Sequence, residues 1–124
     1  MIDIIGTVPD MHIAILVTNG VFGTGVSALL DLVRAASVLS PDITVTLHAA
    51  ASSVTTGNGL VLPIDAALPD AGSADVIVVP GLDVATPDEL TTRLAAPDVR
   101  QIVAFLRDVE VPVVAAACAG TFVL

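Results

Sequence analysis

The sequence predicts an α/β fold, a parallel β-sheet with helices on both faces, from three observations. Two short runs, His12 to Thr18 (HIAILVT) and Asp75 to Pro80 (DVIVVP), are almost continuously apolar and rich in β-branched residues, as strands buried on both faces are. Other stretches place apolar residues at i, i+3, i+4 and i+7, the stripe of a helix that packs on a sheet. The two patterns alternate along the chain, which calls for parallel strands joined by right-handed crossovers. No repeat, linker or composition shift divides the 124 residues, so residues 1–124 read as one domain.

The first strand, His12 to Thr18, ends at the turn Asn19-Gly20. Val26, Leu29, Leu30 and Val33 then mark an amphipathic helix from about Gly25 to Leu39, with Asp31 and Arg34 on its polar side. Pro41-Asp42 breaks the chain before a second strand, Ile43 to Ala50. Ser53 to Leu62 flanks Gly57-Asn58-Gly59 with β-branched residues and reads as a small hairpin. The third main strand ends at Pro80-Gly81. Thr86-Pro87-Asp88-Glu89 is a capping box with proline at the first helical position. Pro97 opens a further helix along Val99, Ile102, Val103 and Leu106, and Val111 to Ala117 is the fourth main strand. The buried character of the first and third strands predicts the order second, first, third, fourth. Only six apolar residues follow Cys118, so the chain reads as truncated there, with a covering element expected beyond Leu124.

Composition narrows the functions. An apolar fraction of 55% exceeds the roughly 45–50% of ordinary globular chains and excludes disorder. The uncharged stretch Val111 to Leu124 is shorter than the roughly 18 residues of a membrane span and contains Pro112 and Gly120. Met1 to Asp10 lacks the basic and apolar regions of a secretory leader, so a cytoplasmic location with no membrane partner is expected. Four arginines, no lysine and 13 acids give a net charge of −9, which excludes direct nucleic-acid contact by this segment. One cysteine makes no intrachain disulfide, and neither His12 nor His48 has the spacing of a zinc site, so no metal or cofactor is expected.

Cys118 ends the apolar run Val113 to Ala117 and is followed by Ala119-Gly120-Thr121. Two readings stand: a buried packing cysteine, as free cysteines often are, or a nucleophile on a sharp strand-to-helix turn. Small neighbours suit the second, because a strained turn has no space for bulk and a helix start beyond it favours a thiolate. So does the position, since open α/β sheets bind ligands at the carboxyl ends of their strands.

The segments HIAILVTNGVFG, VIVVPGL and AAACAGTFVL together resemble the ThiJ/PfpI (class I glutamine-amidotransferase-like) superfamily. Within it, VFGTGVSALLDLVRAA, VTTGNGLVLPIDAAL and ADVIVVPGL resemble the amidase-like N-terminal domain of GlxA-type regulators of the AraC family, which carry a C-terminal helix-turn-helix domain. The resemblance implies a flavodoxin-like fold. It also implies Cys118 at the nucleophile position and an oxyanion-hole equivalent from the amides of Ala119 and the Gly81-Leu82 loop. Gly20, Gly81, Leu82, Cys118 and Ala119 are then the expected ligand-contacting set.

Departures from the catalytic pattern are equally specific. The acid expected shortly after the first loop's glycine is missing from Gly20-Val21-Phe22-Gly23-Thr24-Gly25, and the histidine expected after Cys118 has no counterpart before Leu124. Asp31 falls on the polar side of its helix, His12 opens the first strand at the far end of the sheet, and His48 reads as a half-buried strand residue. Gly20, Gly23 and Gly25 lack the spacing of a phosphate loop and read as turn glycines. Asp83 and Asp88 read as loop and capping residues. The chain is therefore expected to be a non-catalytic sensor domain that binds a small molecule, within a regulator that is a homodimer at full length. The alternative is a cysteine-dependent hydrolase, hydratase or glyoxalase-like enzyme, and a third reading is a fragment without activity.

Overall fold

The computed structural model describes residues 10–124, so the reading of the first nine residues as no secretory leader lies outside the described residues. In chain order the elements begin with β1 (Met11–Leu16), α1 (Gly23–Leu39), β2 (Ile43–Ala49), β3 (Ser53–Thr55), β4 (Val61–Pro63) and β5 (Ala66–Ala67). A 3₁₀ segment, Leu68–Ser73, leads to β6 (Val76–Val79), α2 (Pro87–Leu94), α3 (Pro97–Asp108) and β7 (Val113–Ala116). A second 3₁₀ segment, Cys118–Val123, follows.

The main sheet has five strands in the order β5-β2-β1-β6-β7, and every neighbouring pair is parallel. The expected four-strand order is present within it, extended at one edge by the two-residue β5. β3 and β4 form the expected antiparallel hairpin, with Val54 opposite Leu62. Alternation in β1 explains why its sequence reads apolar throughout. Ala14 and Leu16 join Ile77 and Val79 of β6 against Val99 and Ile102 of α3 and Leu68 and Ala71 of the first 3₁₀ segment. Ile15 and Val17 face the other way and join Leu47 and Ala49 of β2 against Val26 of α1 and Val54 of the hairpin. Each buried valine, leucine or isoleucine among them stabilises the fold by about 1.5–3 kcal/mol. Helices thus lie on both faces, as the alternating pattern requires.

α2 begins at the expected cap, though its acid reaches one residue further back than in a capping box. Thr86 Oγ1 accepts from the Glu89 amide at 3.1 Å, and Glu89 Oε2 accepts from the Ala85 amide at 2.7 Å. Thr86→Ala removes the first of these, and a loss of about 1 kcal/mol is expected. The check is a lower urea midpoint at an unchanged slope; an unchanged midpoint would mean that α2 does not depend on its cap.

Two boundaries differ from expectation. α1 starts at Gly23 instead of Gly25, because the Phe22 carbonyl already accepts from the amides of Gly25 and Val26. Gly23 and Gly25 are therefore helical residues and not turn glycines; only Gly20 of the three has the positive φ of such a turn, +83°. Beyond Cys118 the chain makes 3₁₀ bonds, Gly120 amide to Ala117 carbonyl and Leu124 amide to Thr121 carbonyl, in place of an α-helix.

β7 is an edge strand of the sheet, and Val113 and Val114 are 49% and 39% exposed. Among the described residues no helix is long and apolar enough to cross a membrane.

Candidate functional site

Loops leaving the carboxyl ends of β1, β6 and β7 meet at one edge of the sheet. The Phe22 amide donates to the Gly81 carbonyl at 2.8 Å and the Asp83 amide to the Gly20 carbonyl at 2.9 Å, on either side of an antiparallel bridge between Val21 and Leu82. The hairpin closes on the same loop: the Gly20 amide donates to Thr55 and the Gly57 amide to Val21, at 2.8 and 2.9 Å. Three short stretches of backbone, the loops after β1 and β6 and the hairpin, thereby hold one another. The third loop joins by extending the sheet ladder, Ala117 amide to Val79 carbonyl, at 3.1 Å.

The next residue is Cys118, exposed, with φ of +48°. It is the only non-glycine residue with positive φ among the described residues. For an L-residue that conformation costs on the order of 1–3 kcal/mol and persists only where the surroundings impose it. Two glycines provide the surroundings. A Cβ on Gly81 would stand 3.3 Å from Cys118 Cβ and 3.9 Å from the Ala119 amide nitrogen. A Cβ on Gly120 would lie 2.5 Å from the carbonyl oxygens of both Val79 and Pro80. Backbone therefore packs directly on backbone beneath the cysteine, and the Thr121 hydroxyl locks the turn by donating to the Cys118 carbonyl at 2.8 Å.

Of the expected set, Gly81, Cys118 and Ala119 are in mutual contact. Leu82 adjoins them, but its side chain is buried in the core, leaving only its backbone for a ligand. Neither the Leu82 nor the Ala119 amide makes a backbone hydrogen bond outside the helices and strands among the described residues. Gly20 shares the loop, but the space over it is filled: Arg93 Nε lies 3.3 Å from the position of a Cβ there.

That arginine was not apparent from the sequence. Its guanidinium donates to the Asn19 carbonyl and pairs with Asp98 at 3.4 Å, while Asp98 also accepts from the Asn19 amide at 3.0 Å. Asn19 Oδ1 in turn accepts from the Thr55 amide at 2.9 Å. α2, α3, the first loop and the hairpin are thus tied at one point. The only sequence signal is an arginine on an otherwise acidic segment, and nothing in its spacing indicates a partner so far along the chain.

Both histidines are engaged elsewhere. His48 is fully buried, not half-buried; its Nδ1 donates to the Ala67 carbonyl at 2.9 Å and its Nε2 contacts Thr46 Oγ1 at 2.7 Å. The same hydroxyl contacts His12 Nε2 at 2.8 Å, and His12 Nδ1 contacts Thr44 at 2.7 Å, so both histidines belong to a chain along β1 and β2. Neither is a base for Cys118. Asp31 is exposed on α1, Asp83 packs over Gly57, Asp88 lies exposed in the first turn of α2, and Glu89 caps that helix.

No family model and no curated protein matches the sequence. Solved structures do match. A ThiJ/PfpI family protein from Pseudomonas syringae superposes with a TM-score of 0.69 at 22% identity, over 100% of this chain and 51% of that one. DJ-1beta from Drosophila melanogaster gives 0.65 at 19%, over 94% and 59%. An AraC family transcriptional regulator from Pseudomonas putida gives 0.63 at 16%, over 85% and 55%. The chain therefore spans a little over half the length of these proteins. At such identities the likeness speaks to architecture, and the site must carry any claim about function. The chain has the flavodoxin-like α/β fold shared by the DJ-1 and ThiJ/PfpI proteins.

Proposed function

We propose that the chain is the ligand-sensing domain of a cytoplasmic transcriptional regulator of the AraC type, in which the cysteine elbow contacts a small molecule without turning it over. The observation that carries this reading is Cys118 itself: exposed and held at φ +48°, while both histidines are bonded along β1 and β2, Glu89 caps α2 and Asp98 pairs with Arg93. A thiol presented this way can touch or capture an electrophilic or carbonyl-bearing ligand, with the amides of Leu82 and Ala119 on its oxygen. Turnover needs more, because a leaving group must receive a proton, and general acid–base help is worth roughly 10²–10⁴-fold. A net charge of −9 sends DNA recognition to another segment of the regulator. Ligand binding would then act by favouring one arrangement of that segment over another. The regulator of this fold from Pseudomonas putida supports the assignment.

The strained cysteine also favours a second reading, a cysteine-dependent enzyme completed by groups outside this chain. Iodoacetamide labelling and turnover assays separate the two. Cys118 is expected to alkylate at least as fast as an unstructured thiol, while p-nitrophenyl acetate and methylglyoxal are consumed only at the rate seen for Cys118→Ser. Turnover by the unsubstituted protein that Cys118→Ser abolishes would establish the enzyme, and a thiol protected from iodoacetamide would remove the site altogether.

A further inference from the structure

Arg93 carries an unmet hydrogen-bond donor at the point where the first loop meets α2 and α3. Its Nε is buried and has no acceptor among the described residues. An unpaired buried donor on a charged group is unfavourable, so its retention calls for a reason. One terminal nitrogen makes both of the arginine's bonds, to the Asn19 carbonyl and to Asp98. The bidentate fork that distinguishes arginine from lysine is therefore unused. Arg93 lies in the last turn of α2 and Asp98 in the first turn of α3, so each charge also suits its helix end.

We propose that Arg93 is a positioning residue for the cysteine elbow, acting through the backbone of the first loop. Arg93 and Asp98 between them hold both backbone polar groups of Asn19, the carbonyl and the amide. The next carbonyl, that of Gly20, accepts from the Asp83 amide at 2.9 Å, and the Phe22 amide donates to the Gly81 carbonyl at 2.8 Å. A Cβ on Gly81 would stand 3.3 Å from Cys118 Cβ, so the first loop sets where the Gly81-Leu82 backbone lies against the cysteine. Gly20 is fitted to the same arrangement. Its φ of +83° and bare Cα leave room for Arg93 Nε, 3.3 Å from where a Cβ would stand. The unmet donor follows from that fit, because Nε faces an α-carbon where no acceptor can be. The guanidinium is placed to hold the loop while its own Nε goes unsatisfied.

The purpose of such a clamp rests on the reading of the elbow as a ligand site; its geometry does not. Residue-by-residue amide hydrogen exchange of the chain reads the clamp, and iodoacetamide labelling reads its effect on Cys118. Arg93→Met keeps an apolar stem and removes the charge. Protection of the Phe22 and Asp83 amides is expected to fall about tenfold, with Ile15 and Ile77 in the central strands unchanged, and the alkylation rate of Cys118 should shift. Arg93→Lys should restore protection and rate, because one ammonium can meet both acceptors and brings no Nε. Thr86→Ala, which weakens α2 at its other end, is the control and should leave the Phe22 and Asp83 amides protected.

Unchanged protection at Phe22 and Asp83 in Arg93→Met overturns the proposal. So does an equal fall at all four amides, or loss of the fold, since either makes Arg93 a general support of the structure. A local loss that leaves the Cys118 rate unaltered, or that Arg93→Lys does not reverse, overturns it as well. A thiol that resists iodoacetamide in the unsubstituted chain removes the ligand-site reading instead, and the amide pattern then decides the clamp by itself.

Discussion

Gly120→Ala is expected to destabilise the fold by about 1–3 kcal/mol and to disorder the cysteine elbow, although it adds a single methyl group. The reason is what that methyl would meet. Its Cβ would lie 2.5 Å from the carbonyl oxygens of Val79 and Pro80 and 3.0 Å from the Pro80 carbonyl carbon. All three are backbone atoms at the end of β6, so no side chain can rotate away. The strand is itself held by the Ala117 amide on the Val79 carbonyl, so relief requires lifting Cys118–Val123 off the sheet. Gly72→Ala is the control, since a Cβ there has nothing within 4 Å. Urea unfolding of the two variants reads the difference, and iodoacetamide labelling reports whether Cys118 has moved. An elbow that accepts the methyl, with midpoint and labelling rate both unchanged, would mean that the close packing beneath Cys118 is not what holds it.

The elbow's chemistry and its cost have one origin. A residue at positive φ is disfavoured for every side chain but glycine, and asparagine or aspartate bear it best. Cysteine at this position gains nothing locally from that conformation, so the strain at Cys118 is sustained by the rest of the fold: the ladder through Ala117, the glycine contacts at Gly81 and Gly120, and the Thr121 hydroxyl. Strain of this kind gathers where a side chain must project from the end of a strand. It is a stronger indication of use than exposure alone.

Much of the frame was legible because it rests on local or periodic signals. The two-faced apolar strands, the capping box at Thr86 and the hairpin around Gly57-Asn58-Gly59 each depend on residues within a few positions of one another. Cys118 was legible because an isolated cysteine at the end of an apolar strand is chemically distinctive. What could not be read depends on pairings far apart in sequence. Arg93 reaches Asn19, 74 positions away, and no propensity encodes that contact. β5 is two residues long and carries no periodicity. The burial of His48 follows from Ala67 and Thr46 satisfying both of its ring nitrogens, and a strand pattern alone makes it half-exposed. The turn after Cys118 resembled a helix start because small residues suit both a helix and a 3₁₀ turn.

Ile77→Ala is expected to cost about 2–5 kcal/mol. Ile77 has no exposed surface and lies on β6 between Ala14 of β1 and Val114 of β7. Its side chain belongs to the cluster that includes Val99 and Ile102 of α3 and Val123 of the elbow segment. Deleting its outer carbons loses their transfer energy and leaves a cavity bounded by strand backbone, which cannot collapse as a loop would. Against a total stability of about 5–15 kcal/mol, that loss is a large share. Ile77→Val should cost only about 0.5–1.5 kcal/mol, whereas Leu32→Ala on the outer side of α1 should stay within about 0.5 kcal/mol. The graded series is read from urea midpoints at constant slope. Because Val123 shares the cluster, Ile77→Ala should also loosen the elbow and change the rate at which Cys118 alkylates, while Leu32→Ala should not. Equal losses at Ile77 and Leu32 would mean that the core does not lie between β6 and α3, and the support assigned to the Cys118 turn would go with it.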